Sequence, residues 1–350
     1  MLSVDMKAFR TQFDAALAEW LDEKRQQYQA SVAADPLFFD LFDATRDIAL
    51  AGGKRVRPYM AAQMYRALTG EEMQDLRPLI ALELFHVFGL IHDDIIDGGD
   101  SRRGVPTLHR KMIDERYAGN VHIGQSQAML MGDLVFSWCH ELFDRSDFLP
   151  EIRSSAKGLF AKMSEAVMIG QMVDVDLTTE DGATMERIAQ KMQLKTASYT
   201  FVYPMQIGLA LGGGDAAVMR FCESFGTALG LAFQIQDDLL DVLADETVTG
   251  KTPLRDIAEG QHTYITQHVY EQGSRNDIEL LETYFRKDVP ADAIEPLRTM
   301  LDQSGAIAFA KEEATAQFAI AKALLEDVTL PVETKTSLAE LVTYIESRHA

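Results

Sequence analysis

The sequence LIHDDIIDGGDSRRG, which runs from Leu90 to Gly104, joins an apolar helical stretch to a cluster of charges. Asp93, Asp94 and Asp97 close the apolar stretch, and two arginines follow a pair of glycines. A related pattern, FQIQDDLLDV, occupies Phe233 to Val242. Both stretches combine a helical apolar period with carboxylates that repel one another, so each predicts a helix whose acidic end needs a cationic partner.

The remainder of the chain has the composition of an all-α protein. Proline occurs only 10 times in 350 residues, and the long segments between prolines are rich in residues that favour helices. Apolar residues recur at steps of three and four, as at Phe9, Phe13 and Leu17, whereas the alternation typical of β-strands is almost absent. We predict one all-α domain that spans residues 1–350, with the motif-bearing part at about 45–265.

Glycine and proline mark the ends of the predicted helices. Such breaks occur at AGGKRVRP, DGGDSRRGVP, FLPE, LGGGD and TVTGKTP, and none is long enough to be a flexible linker. The helices are predicted at 5–32, 36–50, 56–69, 74–98, 119–145, 149–177, 184–211, 215–244, 260–272, 276–287, 290–302, 304–325 and 332–348.

The overall charge and the cysteine content restrict the environment of the protein. A formal net charge of −21 repels nucleic acid and anionic membrane surfaces, so neither is an expected partner. No stretch is long and apolar enough for membrane insertion, and the acidic N-terminal stretch does not resemble a signal peptide. Cys139 and Cys222 form no disulfide framework and no zinc pattern, so we expect a cytoplasmic protein.

The spacing of the aspartates predicts a site for a hard cation. On a helix, Asp93 and Asp97 share one face, and Asp94 lies about 100° around the axis from Asp93. The cluster from Asp237 to Asp241 repeats this arrangement. Apolar neighbours place both clusters at the edge of the core, where carboxylates need compensation. An oxygen-only ligand set indicates Mg²⁺, held by few side chains together with waters and substrate phosphates.

Basic residues accompany the acidic clusters. Some follow glycines just before a predicted helix, where backbone N–H groups and the helix field favour an anion. The basic residues beside glycine turns or next to the motifs are Lys54, Arg55 and Arg57, Arg102 and Arg103, Lys195, and Lys251. In so acidic a protein, these local cations indicate binding of phosphate groups. His86, on the same helical stripe as Asp93 and Asp97, is a further candidate for ligand contact.

The combination of motifs resembles the trans-isoprenyl diphosphate synthases, a family that includes farnesyl and geranylgeranyl diphosphate synthases. The resemblance covers about 45–265 and rests on GGKRVRP, DDIID followed by RRG, GDLVF, GQMVD, KT at Lys195–Thr196, and FQIQDDLLD. It implies a single-domain helical bundle around a deep central cavity, the type I isoprenoid synthase fold. It also implies a homodimer.

The resemblance implies a reaction as well. An allylic diphosphate ionises, isopentenyl diphosphate attacks the cation through its double bond, and a proton is lost to the released diphosphate. About three Mg²⁺ ions per active site, for which Mn²⁺ can substitute, stabilise the departing diphosphate together with lysine and arginine side chains. A dry cavity protects the carbocation from water.

The matching positions take their roles from the same resemblance. The implied metal ligands are Asp93, Asp94, Asp97, Asp237 and Asp241. The allylic diphosphate would be held by Arg102, Lys195 and Lys251, and isopentenyl diphosphate by Lys54, Arg57, His86 and Arg103. Dipoles would be offered to the carbocation by Thr196 and Gln234, with Gln171 in the same region.

Two positions depart from the family pattern. The loop after the second motif usually carries a lysine directly after a glycine, but Gln261 follows Gly260 here, and an amide cannot replace an ammonium as a point charge. Leu254 also stands where glycine is common. These differences leave open a regulatory subunit of a two-component synthase, although all six aspartates are kept. A terpene cyclase is another alternative, but it would have no use for an isopentenyl diphosphate site.

The residues before Asp93 bear on product length. Gly89 lies one helical turn, about 6 Å, before Asp93 and leaves that turn open. Phe88 occupies the position where the family commonly has a chain-length residue, and Phe85 follows one turn further away. Either ring could form the floor of a pocket, or both could be plain core residues. We expect geranylgeranyl diphosphate (C20) as the product, with farnesyl diphosphate (C15) as the alternative.

Overall fold

The structure is a computed structural model, and it describes residues 4–31, 35–102, 105–179, 183–244 and 253–347. These residues are almost entirely helical, which confirms the predicted all-α class. The chain comprises two compact units, the first of residues Ser3–Lys157 and the second of residues Gly158–Ala350. The single domain over 1–350 stays a prediction.

The first unit consists mainly of long helices. The helices are α1 (Val4–Ser31), α2 (Pro36–Leu50), α3 (Val56–Thr69), α4 (Arg77–Ile96), α5 (Leu108–Lys111), α6 (Val121–Asp144) and the first turns of α7 (Pro150–Leu177). A hairpin of two-residue strands, β1 (Ser101–Arg102) and β2 (Val105–Pro106), precedes α5, and a π-helical turn, Met112–Arg116, follows it.

Helices α4 and α6 form the centre of the first unit. Every residue of the stretch Leu79–Phe85 in α4 is buried, and a helix that is apolar nearly all round belongs in a core. Pro78 lies in the first turn of α4, where its missing N–H costs no helical hydrogen bond. Helix α6 begins after Asn120, whose side-chain oxygen accepts the N–H of Ile123 at 3.2 Å and caps the helix.

The second unit continues with α7 and is built around α10. Its further elements are α8 (Met185–Met192), a π-helical segment (Gln193–Val202), α9 (Tyr203–Leu211), α10 (Ala216–Leu243), α11 (Arg255–Glu259), α12 (Tyr264–Gln272), α13 (Arg275–Tyr284), α14 (Ala291–Gln303), α15 (Ala306–Asp327) and α16 (Val332–Glu346). Helix α10 packs on the π-helical segment and on α15. Buried Phe225, Leu229 and Leu239 give α10 its apolar faces.

The sequence predicts a helix over 184–211, and the structure is helical from Met185 to Leu211, but the middle third is not an α-helix. From Gln193 to Val202 the backbone is π-helical, and α8 and α9 flank it as separate α-helices. The N–H of Tyr203, for example, bonds to the carbonyl oxygen of Ser198, five residues back. Such wider turns are rare and occur mostly at functional sites.

Two glycines on neighbouring helices let the π-helical segment lie unusually close to them. A Cβ atom on Gly230 of α10 would collide with Ala197, and one on Gly170 of α7 would lie 2.5 Å from the backbone nitrogen of Lys195. Any larger residue at either glycine would push this segment away. The motif residues Lys195 and Thr196 are therefore held by backbone contact on two sides.

Some short elements lie in stretches for which the sequence predicts no helix or strand. The hairpin pairs Arg102 with Val105, and α5 with its π-helical turn fills much of the stretch before α6. Helix α11 lies after the predicted break TVTGKTP, where no helix was expected. These elements span too few residues to show a helical or strand period in the sequence.

Two sequence-based expectations concern membranes and cysteines. Within the described ranges, no helix combines the length and apolar character needed to cross a bilayer. Both cysteines are free and buried, and burial raises the pKa of the Cys222 thiol to about 12. A cytoplasmic location stays a prediction.

Candidate active site

The first acidic cluster lies at the C-terminal end of α4. Asp93 is half-buried, Asp97 is exposed and Asp94 is buried. The N–H of Asp97 donates a 2.8 Å hydrogen bond to the carbonyl oxygen of Asp93, so the two outer aspartates share the last turn. The field at a helix C-terminus is negative, which makes this end of α4 unfavourable for carboxylates and favourable for a bound cation.

The middle aspartate of this cluster holds a predicted phosphate ligand. Nε and Nη2 of Arg102 donate to Oδ1 of Asp94 at 2.9 and 2.6 Å. Burial alone would lower the pKa of Arg102, but its hydrogen bond to Asp94 and the nearby aspartate charges raise it overall. The role of Asp94 as a metal ligand stays a prediction, and what the structure shows is that it orients Arg102.

The basic turn before α3 has one cationic side chain in the core and two that are less buried. Arg55 adopts a left-handed backbone conformation and is buried. Its side chain pairs with Asp14 at 2.7 Å and with Glu83 at 2.5 Å, so it fastens the turn to α1 and α4. Lys54 and Arg57 remain half-buried, which leaves them as the candidate phosphate ligands of this turn.

Two other predicted phosphate ligands, Arg103 and Lys251, lie outside the described residues. His86 lies on α4 and is half-buried, like Gly89 and Asp93 further along the same stripe. Between Leu79 and Phe88, His86 is the one residue of α4 that is not buried. The position of His86 is therefore compatible with ligand contact, which stays a prediction.

The predicted chain-length residues lie beside that stripe. Phe85 is 1% exposed and Phe88 is 8% exposed, and their ring centroids are 5.4 Å apart. A Cβ atom on Gly89 would meet no heavy atom within 4 Å among the described residues. Gly89 thus faces open space, as expected from the sequence, whereas Phe85 is fully packed.

The second acidic cluster lies near the C-terminal end of α10, and its middle aspartate is again the buried one. Asp237 and Asp241 are half-buried, and Asp238 is buried. Nε2 of Gln234 donates to Oδ1 of Asp238 at 2.8 Å. Burial raises the pKa of Asp238 to about 7, although the bond from Gln234 opposes that shift.

Asp241 joins α10 to the short helix α11. Its two carboxylate oxygens accept the N–H groups of Arg255 and Asp256 at 3.2 and 3.1 Å, which caps the start of α11. Leu254, the residue before α11, is fully buried and has a φ of +60°. The sequence departs from glycine at a position where the backbone is left-handed, and a leucine there is strained by about 1–3 kcal/mol.

Lys195 belongs to a buried ionic cluster that the sequence did not reveal. Its Nζ donates to Oδ2 of Asp174 at 2.6 Å, and Nζ of Lys191 lies 3.1 Å from Oδ1 of the same carboxylate. Burial alone would raise the pKa of Asp174, but the two ammonium groups hold it below its usual range. The one signal was the spacing of the lysines, four apart on a predicted helix, which also fits an ordinary surface pair.

The side-chain amide of Gln171 is buried and is a candidate for contact with a ligand. Neither its amide oxygen nor its amide nitrogen has a hydrogen-bond partner among the described residues, although both atoms are buried. A buried amide without partners costs about 1–3 kcal/mol, so such groups usually meet a ligand or an ordered water. That Gln171 lines the reaction region stays a prediction.

Comparisons with known proteins match the whole chain rather than its motifs alone. The family model of polyprenyl synthetases matches residues 40–300. The chain belongs to the polyprenyl synthetase family. It is 29% identical to geranylgeranyl diphosphate synthase of Methanosarcina mazei over 98% of this chain and 97% of that protein. It is 33% identical to geranylfarnesyl diphosphate synthase of Natronomonas pharaonis over 78% of this chain and 80% of that protein.

The same family appears among solved structures. Geranylgeranyl pyrophosphate synthase of Corynebacterium glutamicum, solved with isoprenyl diphosphate and magnesium, superimposes with a TM-score of 0.89 at 27% identity. The match covers 97% of this chain and 99% of that chain. Membership in the polyprenyl synthetase family confirms the resemblance, the type I all-α fold class and the assignment as a prenyltransferase.

Proposed function

We propose that this prenyltransferase condenses isopentenyl diphosphate with an allylic diphosphate and releases a longer all-trans prenyl diphosphate, chiefly geranylgeranyl diphosphate. One observation carries the proposal: the two acidic clusters have the same design. In each, two aspartates lie on the more open side of an apolar helix end, and the middle one is buried and bonded to a polar side chain. Placing like-charged carboxylates together at an apolar helix end costs free energy unless a cation compensates their charge.

The donor set fits Mg²⁺. Within the part of the chain that the structure describes, no three acidic, cysteine or histidine side chains gather as a ready-made metal cage. Mg²⁺ does not need such a cage, because it is commonly held by one or two carboxylates together with substrate phosphates and water. Asp93 and Asp97 are the proposed ligands in the first cluster, and Asp237 and Asp241 are those in the second. Mn²⁺, which also takes oxygen ligands, is expected to substitute.

The protein side chains have distinct tasks in the proposed reaction. The bond between the allylic carbon and the diphosphate oxygen breaks, the double bond of isopentenyl diphosphate forms the new carbon–carbon bond, and a proton passes to the released diphosphate. Mg²⁺, when held by these carboxylates, would supply positive charge for the departing diphosphate. Arg102 and Lys195 would each offer fixed positive charge to a diphosphate, and the bonded pair of Thr196 and Gln234 would offer oxygen dipoles to the carbocation.

The decisive test is an elongation assay. Purified protein is incubated with Mg²⁺, labelled isopentenyl diphosphate and, in turn, dimethylallyl, geranyl or farnesyl diphosphate, and the products are identified by chain length. We expect incorporation of label into a C20 product and no incorporation in excess chelator, with recovery when Mg²⁺ or Mn²⁺ is returned. A cyclic product formed from the allylic substrate alone would indicate a cyclase. Absence of turnover with every primer would indicate a non-catalytic subunit.

We also propose that the protein is a homodimer, because large apolar side chains remain exposed along two helices. On α6 they are Val121, Ile123, Met129 and Leu130, and on α7 they are Met168, Ile169, Met172 and Val175. Leu130 is 62% exposed and Met172 is 69% exposed. Rows of exposed apolar residues on helices of a soluble enzyme are typical of a surface that another chain covers.

The dimer is tested by measuring molar mass in solution with light scattering. We expect twice the chain mass for the natural sequence and a monomer for Leu130→Glu or Met172→Glu. Ile320→Glu is the matched control, because Ile320 is 47% exposed on α15, outside both rows. A monomeric natural sequence would contradict the dimer and leave the proposed reaction untouched.

A further inference from the structure

Lys191 is a buried lysine to which the family resemblance gives no role. It lies on α8, and its side chain is 11% exposed. Its Nζ lies 3.1 Å from Oδ1 of Asp174 and donates to the carbonyl oxygen of His262 at 2.9 Å. Burying an ammonium costs free energy, which the two partners of Lys191 offset. The buried charge of Lys191 therefore acts on the groups around it.

The charges around Asp174 define that action. Lys195 alone with Asp174 would form a neutral ion pair, and a neutral pair attracts an anionic diphosphate weakly. Lys191 adds a second ammonium to the same carboxylate, so two positive charges face one negative charge. The cluster of Lys191, Asp174 and Lys195 therefore has a net charge of about +1 at neutral pH. Lys191 also lies within electrostatic reach of the buried Asp238 and Asp256.

We propose that Lys191 is a positioning residue that neutralises Asp174 and thereby leaves the charge of Lys195 available to the allylic diphosphate. The inference rests on the proposed function, in which Lys195 binds that diphosphate. Lys191 acts through Asp174 and Lys195, and no contact of its own with substrate is required. The effect is expected in binding of the allylic substrate and not in binding of isopentenyl diphosphate.

The contact with His262 extends this role to the loop that lacks a lysine. His262 directly follows Gln261, the position where the family usually carries a cation. By donating to the His262 carbonyl oxygen, Lys191 fixes α8 to this loop. The buried amine of Lys191 thus supplies positive charge next to a loop position where this chain has a neutral amide.

The test separates charge from structure with three variants. Lys191→Gln removes the charge but keeps a side chain that can donate to the His262 carbonyl, and we expect the KM for farnesyl or geranyl diphosphate to rise about tenfold. The KM for isopentenyl diphosphate should stay within about twofold. Lys191→Arg keeps the charge and should retain most of the affinity. Lys191→Gln with Asp174→Asn removes one charge of each sign and should restore the low KM.

Lys24→Gln is the matched control, because Lys24 is also buried and forms an ion pair, with Glu141. It should change stability without changing either KM. Two results would overturn the inference: an unchanged allylic KM in Lys191→Gln, or no recovery in the double variant when both proteins melt like the natural one. Lys195→Ala distinguishes the two levels of argument. If Lys195→Ala raises the allylic KM while Lys191→Gln does not, the proposed function stands and only the role of Lys191 fails.

Discussion

The hydroxyl of Thr196 donates a 2.8 Å hydrogen bond to Oε1 of Gln234, and so joins the π-helical segment to α10. Nε2 of the same amide donates to Asp238. The hydrogen-bond network therefore fixes the orientation of the Gln234 amide, with its oxygen toward Thr196. Because the hydroxyl proton of Thr196 is used in this bond, its oxygen lone pairs remain as the negative end that a carbocation would meet.

This relationship predicts a specific loss in Thr196→Val. Valine has nearly the shape of threonine but no hydroxyl, so it removes the dipole and leaves Oε1 of Gln234 without that donor. We expect kcat to fall about tenfold or more, with little change in the KM of the allylic substrate. Steady-state rates with farnesyl diphosphate measure this. Thr196→Ser keeps the hydroxyl and should stay close to the natural rate, and equal rates for the two variants would exclude the dipole role.

Replacing an outer aspartate is expected to lower kcat further than replacing Thr196. Asp93→Ala and Asp237→Ala each remove a proposed Mg²⁺ ligand, and loss of an electrostatic partner of the departing group lowers kcat by about a hundredfold. The fold should persist, because both residues are only half-buried. Rates and thermal unfolding are measured together. Asp100→Ala is the control, since Asp100 is exposed and its carboxylate forms a 3.6 Å surface pair with Arg110. Near-natural turnover in either variant would remove the metal-binding proposal for that cluster.

The sequence predicted the helices well because their apolar residues repeat at helical spacing, and glycine or proline marks most ends. It did not predict the π-helical segment. That conformation accompanies the close approach of Gly170 and Gly230, which lie on other helices. A local pattern carries no information about such contacts.

The candidate site was predictable in its residue types but not in its pairings. The outward aspartates followed from their spacing, whereas the bond between Arg102 and Asp94 depends on a short hairpin that reverses the chain. Arg55 was indistinguishable from its basic neighbours in the sequence. Its burial follows from a left-handed backbone and from partners on α1 and α4. Long-range ion pairs of this kind leave no mark on local composition.

A cation placed in the loop after α11 is expected to raise the affinity for the allylic substrate. The backbone of Gln261 is held at both of its polar groups: its N–H donates to the carbonyl oxygen of Asp256 at 2.7 Å, and its carbonyl oxygen accepts from Thr266. A new side chain should therefore leave the loop backbone unchanged. Gln261→Lys adds the missing cation, and we expect the KM of the allylic substrate to fall by about threefold to tenfold. Gln261→Met, a neutral replacement of similar length, should show no such fall. A KM that stays constant or rises in Gln261→Lys would show that the added charge does not reach the diphosphate.

Phe88 lies within a group of rings beside the open turn at Gly89. Its centroid is 5.1 Å from that of Phe136 on α6 and 4.5 Å from that of His92. Phe85 contacts the same ring of Phe136 at 5.9 Å but is itself fully packed. Of the two candidate floor residues, Phe88 is thus the one next to open space, and removal of its ring would extend that space along α4.

We therefore expect Phe88→Ala to lengthen the product beyond C20, to C25 or more. Phe88 lies five residues before Asp93, or about 7.5 Å along α4, and the space that its ring would leave is enough for roughly one further isoprene unit. Gly89→Phe should fill the open turn and shift the product toward C15. Product length is read by chromatography against prenyl alcohol standards after removal of the diphosphate. Phe85→Ala is the comparison variant for product length. It deletes a fully buried ring, which costs about 3–5 kcal/mol of stability. If Phe88→Ala leaves the product at C20 while Phe85→Ala lengthens it, the floor lies one turn deeper, at Phe85.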